Sequence, residues 1–158
     1  MSVDGALRIE PLRLEDVSAV DVIEQTSMPA PWSRTMFVSE IAKPNSICLG
    51  AFAVDTLIGY VIVSRYVDAW HVMNLVVASG HRRRGIASLL LTTLFEQAGS
   101  HGRQGFTLEV RVSNGAAISL YESVGFQAQG LRWAYYTDNR EDAVVMWRDA
   151  VPELADAS

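Results

Sequence analysis

Seven consecutive residues, Arg82, Arg83, Arg84, Gly85, Ile86, Ala87 and Ser88, join an apolar run over 72–78 to an apolar-periodic run over 86–98. The pattern fits a buried strand, a tight basic loop and a helix that starts at a glycine. Such a loop aims several free backbone N–H groups, and the positive end of a helix, at one point in space. An anion is held there, most often a phosphate. The segment lacks the Gly-Lys-Ser/Thr ending of a nucleotide P-loop and the three glycines of a dinucleotide fingerprint, which disfavours both. Arg-x-x-Gly-x-Ala alone is a weak motif, because any basic helix start matches it. A phosphorylated small molecule is the expected ligand.

Glu109 is the first candidate for chemistry beside that loop. In the run 106–112, Leu108, Val110 and Val112 share one face, and Thr107, Glu109 and Arg111 share the other. The plain reading is a solvated face with a Glu109–Arg111 pair along the strand. The chemical reading is a general base at the carboxyl end of a strand next to the anion site. Tyr121, at helical spacing with Ala117 and Leu120, is either core or a phenol that delivers a proton to a leaving group. Asn114 reads as a helix N-cap. Trp32, Tyr135 and Tyr136 lie in or beside loops, where aromatic rings either shape a pocket or close the core. His71, His81 and His101 lack metal-ligand spacing and read as structural or surface residues. Cys48, the one cysteine, sits between Ile47 and Leu49 and reads as a buried structural thiol. No metal site is expected.

These residues need a scaffold. The chain has 158 residues, 49% of them hydrophobic, which suits one domain with a substantial core. The ends, over 1–5 and 152–158, read as frayed tails. The net charge of −5 argues against general nucleic-acid binding, so the arginine triplet is a local feature on an acidic body. No apolar stretch approaches the ~20 residues of a membrane span, and no secretory signal is visible. A cytoplasmic location without membrane or nucleic-acid partners is the default expectation; the oligomeric state is left open.

Periodicity and breakers predict strands near 7–10, 46–54, 57–66, 70–78, 106–112, 127–135 and 143–148. Helices are expected over 15–26, from Ser33 as N-cap to before Pro44, over 84–98, and over 114–124 with Gly125 as C-cap. Strands 46–54, 57–66 and 70–78 form an antiparallel meander. The strand–helix–strand crossover that follows makes the next pair parallel. In a mixed sheet, ligands favour the carboxyl ends of the parallel strands, where the 82–88 loop lies.

This order of elements, with Arg82, Gly85 and Ala87 in their spacing, resembles the GNAT acetyltransferases. The runs 108–114 (Leu-Glu-Val-Arg-Val-Ser-Asn) and 120–126 (Leu-Tyr-Glu-Ser-Val-Gly-Phe), with Pro31-Trp32-Ser33, Asn74, Tyr135-Tyr136 and 140–143 (Arg-Glu-Asp-Ala), resemble its RimI-like branch. The resemblance runs from about Leu7 to Trp147 and implies a single GNAT-like α/β domain over 1–158. Its fold would be a mixed, mostly antiparallel twisted sheet of about seven strands, flanked by four helices and splayed at a parallel pair. Two departures stand out: Ser79-Gly80-His81 replaces the usual acidic, proline-containing run, and Ala87 replaces the more usual second glycine.

The resemblance implies acetyl-CoA as cosubstrate. Leu75, Val76 and Val77 would grip its arm, and Arg83, Arg84, Gly85, Ile86, Ala87 and Ser88 its pyrophosphate. Asn114 would make a further cofactor contact. Glu109 would be the general base, Tyr121 the general acid, and Trp32, Tyr135 and Tyr136 would hold the acceptor. RimI-like enzymes acetylate the N-terminal α-amine of proteins, notably alanine of a small-subunit ribosomal protein. The residues themselves leave two other readings open: a lysine side chain or small-molecule amine as acceptor, and a non-catalytic acyl-CoA-binding domain.

Overall fold

The computed structural model describes residues 7–99 and 105–150. The tails expected over 1–5 and 152–158, the interior of the 99–105 loop and His101 lie outside the described residues. In chain order the elements are β1 (Leu7–Pro11), α1 (Val17–Ser27), α2 (Arg34–Ala42), β2 (Ser46–Ala53), β3 (Thr56–Arg65) and β4 (Ala69–Val77). Then come α3 (Ile86–Ala98), β5 (Gly105–Arg111), α4 (Gly115–Ser123), β6 (Gln127–Arg132) and β7 (Ala143–Arg148). The strands form one seven-stranded sheet in the order β1-β2-β3-β4-β5-β7-β6. Among the described strands, only β4 and β5 pair in parallel.

Several bounds differ from the sequence reading, each for a local reason. The helix expected from Glu15 opens as a 3₁₀ turn over Leu14–Asp16 before α1 begins at Val17. α3 begins at Ile86 rather than at residue 84, because Gly85 is its N-cap at φ +78°. A short 3₁₀ turn, Ser79–His81, precedes it. The strand expected to run to residue 135 stops at Arg132, and Ala134 turns away at φ +50°. Ser33 caps α2 as expected, its hydroxyl accepting from the Met36 amide.

Helices cover both sheet faces. α3 lays Ile86, Leu90, Leu91, Leu94, Phe95 and Ala98 into a core with Leu49, Val61, Val63, Leu108, Val110 and Met146. Their spacing is that of one helical face. Truncating any of the three leucines to alanine costs ~2–5 kcal/mol. On the opposite face, Val17, Val20 and Ile23 of α1 and Phe37 of α2 meet Cys48, Tyr60, Ile62 and Val76.

One seam in this sheet is short. β4 and β5 are in register only at Ala69↔Gly105, Trp70↔Phe106 and His71↔Thr107. β5 stays paired with β7 from Phe106 through Arg111, and β4 with β3 from Trp70 through Val77. Each strand is therefore held by its other neighbour while the two diverge. Gly105 permits the start of β5 to pass under β7: a Cβ there would lie 2.3 Å from the Trp147 ring and 2.7 Å from the Arg148 carbonyl oxygen.

Candidate active site

Two clefts open where β4 and β5 part. The first, about 610 Å³, is lined by Leu75, Val76 and Val77 of β4, by Arg82, Arg83, Gly85, Ile86, Ala87 and Ser88, and by Asn114, Ala117 and Tyr121 across the gap. Beyond His71 the β5-facing edge of β4 has no strand partner, which leaves main-chain donors and acceptors open along one wall. At the head of this wall the backbone folds into a concavity. Arg83 is left-handed at φ +65° and Gly85 at φ +78°, two residues apart. The first intrahelical bond runs from the Leu89 amide to the Gly85 carbonyl, so the amides of Ile86, Ala87 and Ser88 precede the helical ladder. Successive amides in such turns converge on an anion. The Arg82 guanidinium donates to the Val77 carbonyl at 3.0 Å and ties the loop to the strand end. Arg84 does not line this cleft; its guanidinium lies 3.4 Å from Nδ1 of His81.

The second cleft, about 460 Å³, lies deeper along the same seam and is lined by Met28, Trp32, Met73, Leu75, Glu109, Arg111, Asn114, Tyr121 and Tyr136 among others. Tyr121 borders both clefts, as do Leu75, Asn114 and Ala117. Asn114 also caps α4, its side-chain oxygen accepting from the Ala117 amide at 3.1 Å. The cap orients the helix that carries Tyr121. Burial pushes the Tyr121 phenol well above its ordinary value, so it keeps its proton across neutral pH.

Glu109 does not form the along-strand pair with Arg111 that its position suggested. One oxygen lies 2.7 Å from Nε2 of His71, a β4 residue, and the other 3.5 Å from Nε of Arg132 on β6. The hydrogen bond to His71 is the main reason its carboxyl sits below the usual carboxylate range; burial opposes it. His71, read from sequence as structural or surface, thus lies against Glu109, although it lines neither cleft. Arg111 turns instead to the loop between β6 and β7. It contacts Asp138 at 2.9 Å, Asn139 at 3.1 Å and Glu141 at 3.4 Å, and its guanidinium stacks 4.0 Å from the Tyr136 ring centroid. Glu141 also accepts from the Ser113 amide at 2.8 Å, which pins the loop to the turn before α4. Burial raises the Tyr136 phenol to about 12. Tyr135 packs edge-on against Tyr136 with centroids 5.0 Å apart.

A fully buried carboxylate, Glu24, holds the opposite wall. It accepts from the Tyr60 hydroxyl at 2.7 Å, the Asn74 side-chain amide at 3.0 Å and the Trp32 main-chain amide at 2.9 Å. One side chain thus fixes the end of α1, the following loop and two strands. Losing a partner would leave a buried polar group undersatisfied, which is costly. Glu24 was not singled out from sequence, although it falls on the apolar stripe of α1 after Val17 and Val20. A charged residue on such a stripe is the signal that marks it. Cys48 lines neither cleft; burial pushes its thiol up to about 12, which leaves it inert as a nucleophile.

The sequence profile of the acetyltransferase (GNAT) family matches residues 17–126. The ribosomal protein bS18-alanine N-acetyltransferase of Escherichia coli (strain K12) is 34% identical over 147 residues, covering 87% of this chain and 94% of that protein. The N-alpha-acetyltransferase RimI of Mycobacterium tuberculosis is 39% identical over 125 residues, covering 76% of this chain and 77% of that protein. Among solved structures, the ribosomal-protein-S18-alanine N-acetyltransferase from Escherichia coli superposes with a TM-score of 0.85 at 32% identity, covering 93% of this chain and 96% of that one.

Proposed function

We propose, for a chain that belongs to the acetyltransferase (GNAT) family, that it transfers the acetyl group of acetyl-CoA to the α-amine of a protein N-terminus, with the alanine that begins a small-subunit ribosomal protein as the acceptor. The observation that carries this reading is the meeting of two clefts at Tyr121, one ending in convergent amides and the other in a carboxylate.

In this scheme the pyrophosphate of acetyl-CoA sits on the amides of Ile86, Ala87 and Ser88 and beside Arg83. The arm of the coenzyme runs along the open edge of β4 at Leu75, Val76 and Val77, and Asn114 faces it. The acceptor enters from the second cleft, between Trp32 and the Tyr135–Tyr136 pair, and meets Glu109. A neutral amine is needed to attack the thioester. An α-amine, with a reference pKa of about 7.7–8, is ~2.5 units easier to deprotonate than a lysine at about 10.4, or ~3.4 kcal/mol. That difference matters for a base whose carboxyl is held low. Amides of β4 stabilise the oxyanion that develops on the thioester carbonyl. Tyr121, still protonated, gives its hydrogen to the departing sulfur and regains one from the acceptor nitrogen as the amide forms. A phenol is a weaker acid than a free thiol, yet the thiolate forms in the same desolvated gap, where its own proton affinity rises. Transfer is direct within a ternary complex, because the only thiol is remote and buried.

The test is mass spectrometry of short peptides that differ in their first two residues, incubated with protein and acetyl-CoA. Peptides beginning with alanine are expected to gain one acetyl group on the α-nitrogen. Acetylation confined to lysine side chains, or none at all, overturns the proposal.

A further inference from the structure

A protein acceptor does not stop at its first residue, and the chain behind the amine must leave the second cleft. Its way out in the scheme above is the mouth between Trp32 and the Tyr135–Tyr136 pair. On the tyrosine side the wall is a loop clamped by Arg111 through Asp138, Asn139 and Glu141. On the tryptophan side the space continues. A third cavity, about 310 Å³, is lined by Trp32, Thr35, Met36, Ser39, Glu40 and Met73, of which Trp32 and Met73 also line the second cleft.

We infer that this third cavity receives an uncharged apolar or aromatic side chain from one of the two residues that follow the acetylated one, so that α2 selects among acceptors. The inference rests on the N-terminal acetylation reading and refines it. Reach is sufficient, because an extended chain advances ~3.3–3.6 Å per residue and the two cavities share two walls. Composition sets the preference. The Trp32 indole and the thioethers of Met36 and Met73 are polarisable, and the methionines adapt their shape to what they meet. Met36 is 44% exposed, so its apolar surface is free to cover a ligand. Glu40, the charged lining group, is already engaged: one oxygen accepts from Nζ of Lys43 at 3.1 Å and the other from the Ser46 hydroxyl at 2.8 Å. A cationic side chain would have to displace Lys43 from that carboxylate, and an anionic one would be repelled by it.

The fold holds each wall in place. Trp32 is fixed twice: its main-chain amide donates to Glu24, and its ring lies 5.0 Å, centroid to centroid, from the buried Phe37. The Ser33 hydroxyl accepts from the Met36 amide at 3.3 Å and sets the first turn of α2. Thr35, Met36, Ser39 and Glu40 then fall on one side of that helix by their spacing, while Phe37 goes to the core. Met73 sits at a bulge. The β3–β4 register passes from Val63↔Val72 to Ile62↔Asn74 and leaves Met73 without a partner on β3. A bulge of this kind bends its strand and re-aims a side chain. A single exposed methionine is ordinary on a protein surface. Here three polarisable side chains, from a loop, a helix and a strand, surround one void that continues the acceptor's path.

The test uses alanine-initiated peptides at saturating acetyl-CoA, with the second and third residues varied in turn among glycine, aspartate, lysine, leucine and phenylalanine. At one of these positions leucine or phenylalanine is expected to lower the peptide KM by about fivefold or more against glycine, and the charged residues are not. The gain should appear in KM rather than kcat, as binding remote from the reacting atoms does. Met36→Asp is expected to abolish the preference and Met36→Leu to keep it. Ser39→Phe, which fills the cavity from α2, should abolish it as well; both positions are exposed, so the fold tolerates the changes. A wild type indifferent to both peptide positions, or a preference that survives Met36→Asp and Ser39→Phe, overturns the inference. If alanine α-amines are still acetylated in that case, the N-terminal reading stands alone; if acetyl groups appear only on lysine side chains, both fall.

Discussion

The two clefts that share Tyr121 are built by opposite means. The first is made mostly of main chain: an unpaired strand edge, two left-handed residues and the first turn of a helix. The segments of its anion end are contiguous: β4, the loop and α3. The second is made of side chains gathered from afar. His71 reaches Glu109 across 38 positions, Asn74 reaches Glu24 across 50, and Arg111 reaches Asp138 across 27. A backbone site tolerates side-chain changes that leave its torsions alone. A side-chain site fails when one member is lost.

Substitutions can break that contrast. The largest effect is expected from Glu109→Gln, with kcat down by about 10²-fold or more, as general-base losses typically are. Tyr121→Phe is expected to cost a similar or slightly smaller factor, measured as thiol release. Both should leave acetyl-CoA affinity by calorimetry nearly unchanged; a large loss of affinity would show that the clefts do not divide the work. Gly85→Ala probes the backbone cleft from the other side. An alanine at φ +78° costs ~1–2 kcal/mol, so acetyl-CoA affinity should fall by about tenfold while kcat at saturation holds. Arg111→Ala, which frees the loop bearing Tyr136, is expected to raise the KM for peptide severalfold with the KM for acetyl-CoA unchanged.

The smallest effects are on stability. Ser33→Ala removes the α2 cap and should cost ~1 kcal/mol, a shift in Tm of ~2–4 °C, without touching turnover. Glu109 also carries a pH signature. Its carboxyl is lower in the folded chain than the ordinary value of 4.5, so its pairing stabilises the fold fully above that value. The contribution fades as pH falls through the lowered value. The difference in unfolding free energy between the parent and Glu109→Gln should therefore narrow as pH drops below 4.5.

This division also governs what could be read from the sequence. The 82–88 loop, the Ser33 and Asn114 caps and the alternation along β5 depend on neighbours within a few residues, and their chemistry was visible there. The start of α3 was displaced because arginine is a good helix former and only the torsion at Gly85 stops it. β6 is exposed on both faces, so no alternation marks where it ends. The partners of Glu109 were illegible because they depend on register. His71 opposite Thr107 and Arg132 beside β7 follow from which strands pair, not from spacing along the chain. The plain reading of Glu109 with Arg111 had the right face and the wrong partner.

The brevity of the β4–β5 register has one more consequence. A sheet whose middle parts after three residues has main-chain groups without strand partners where its neighbours are paired. A ligand arm carrying amides, as coenzyme A does, can fill that wedge and knit the two halves together. Deuterium uptake at residues 73–77 and 108–111 should therefore slow when coenzyme A binds. The cosubstrate then serves as a missing rung of the scaffold as well as a source of acetyl groups.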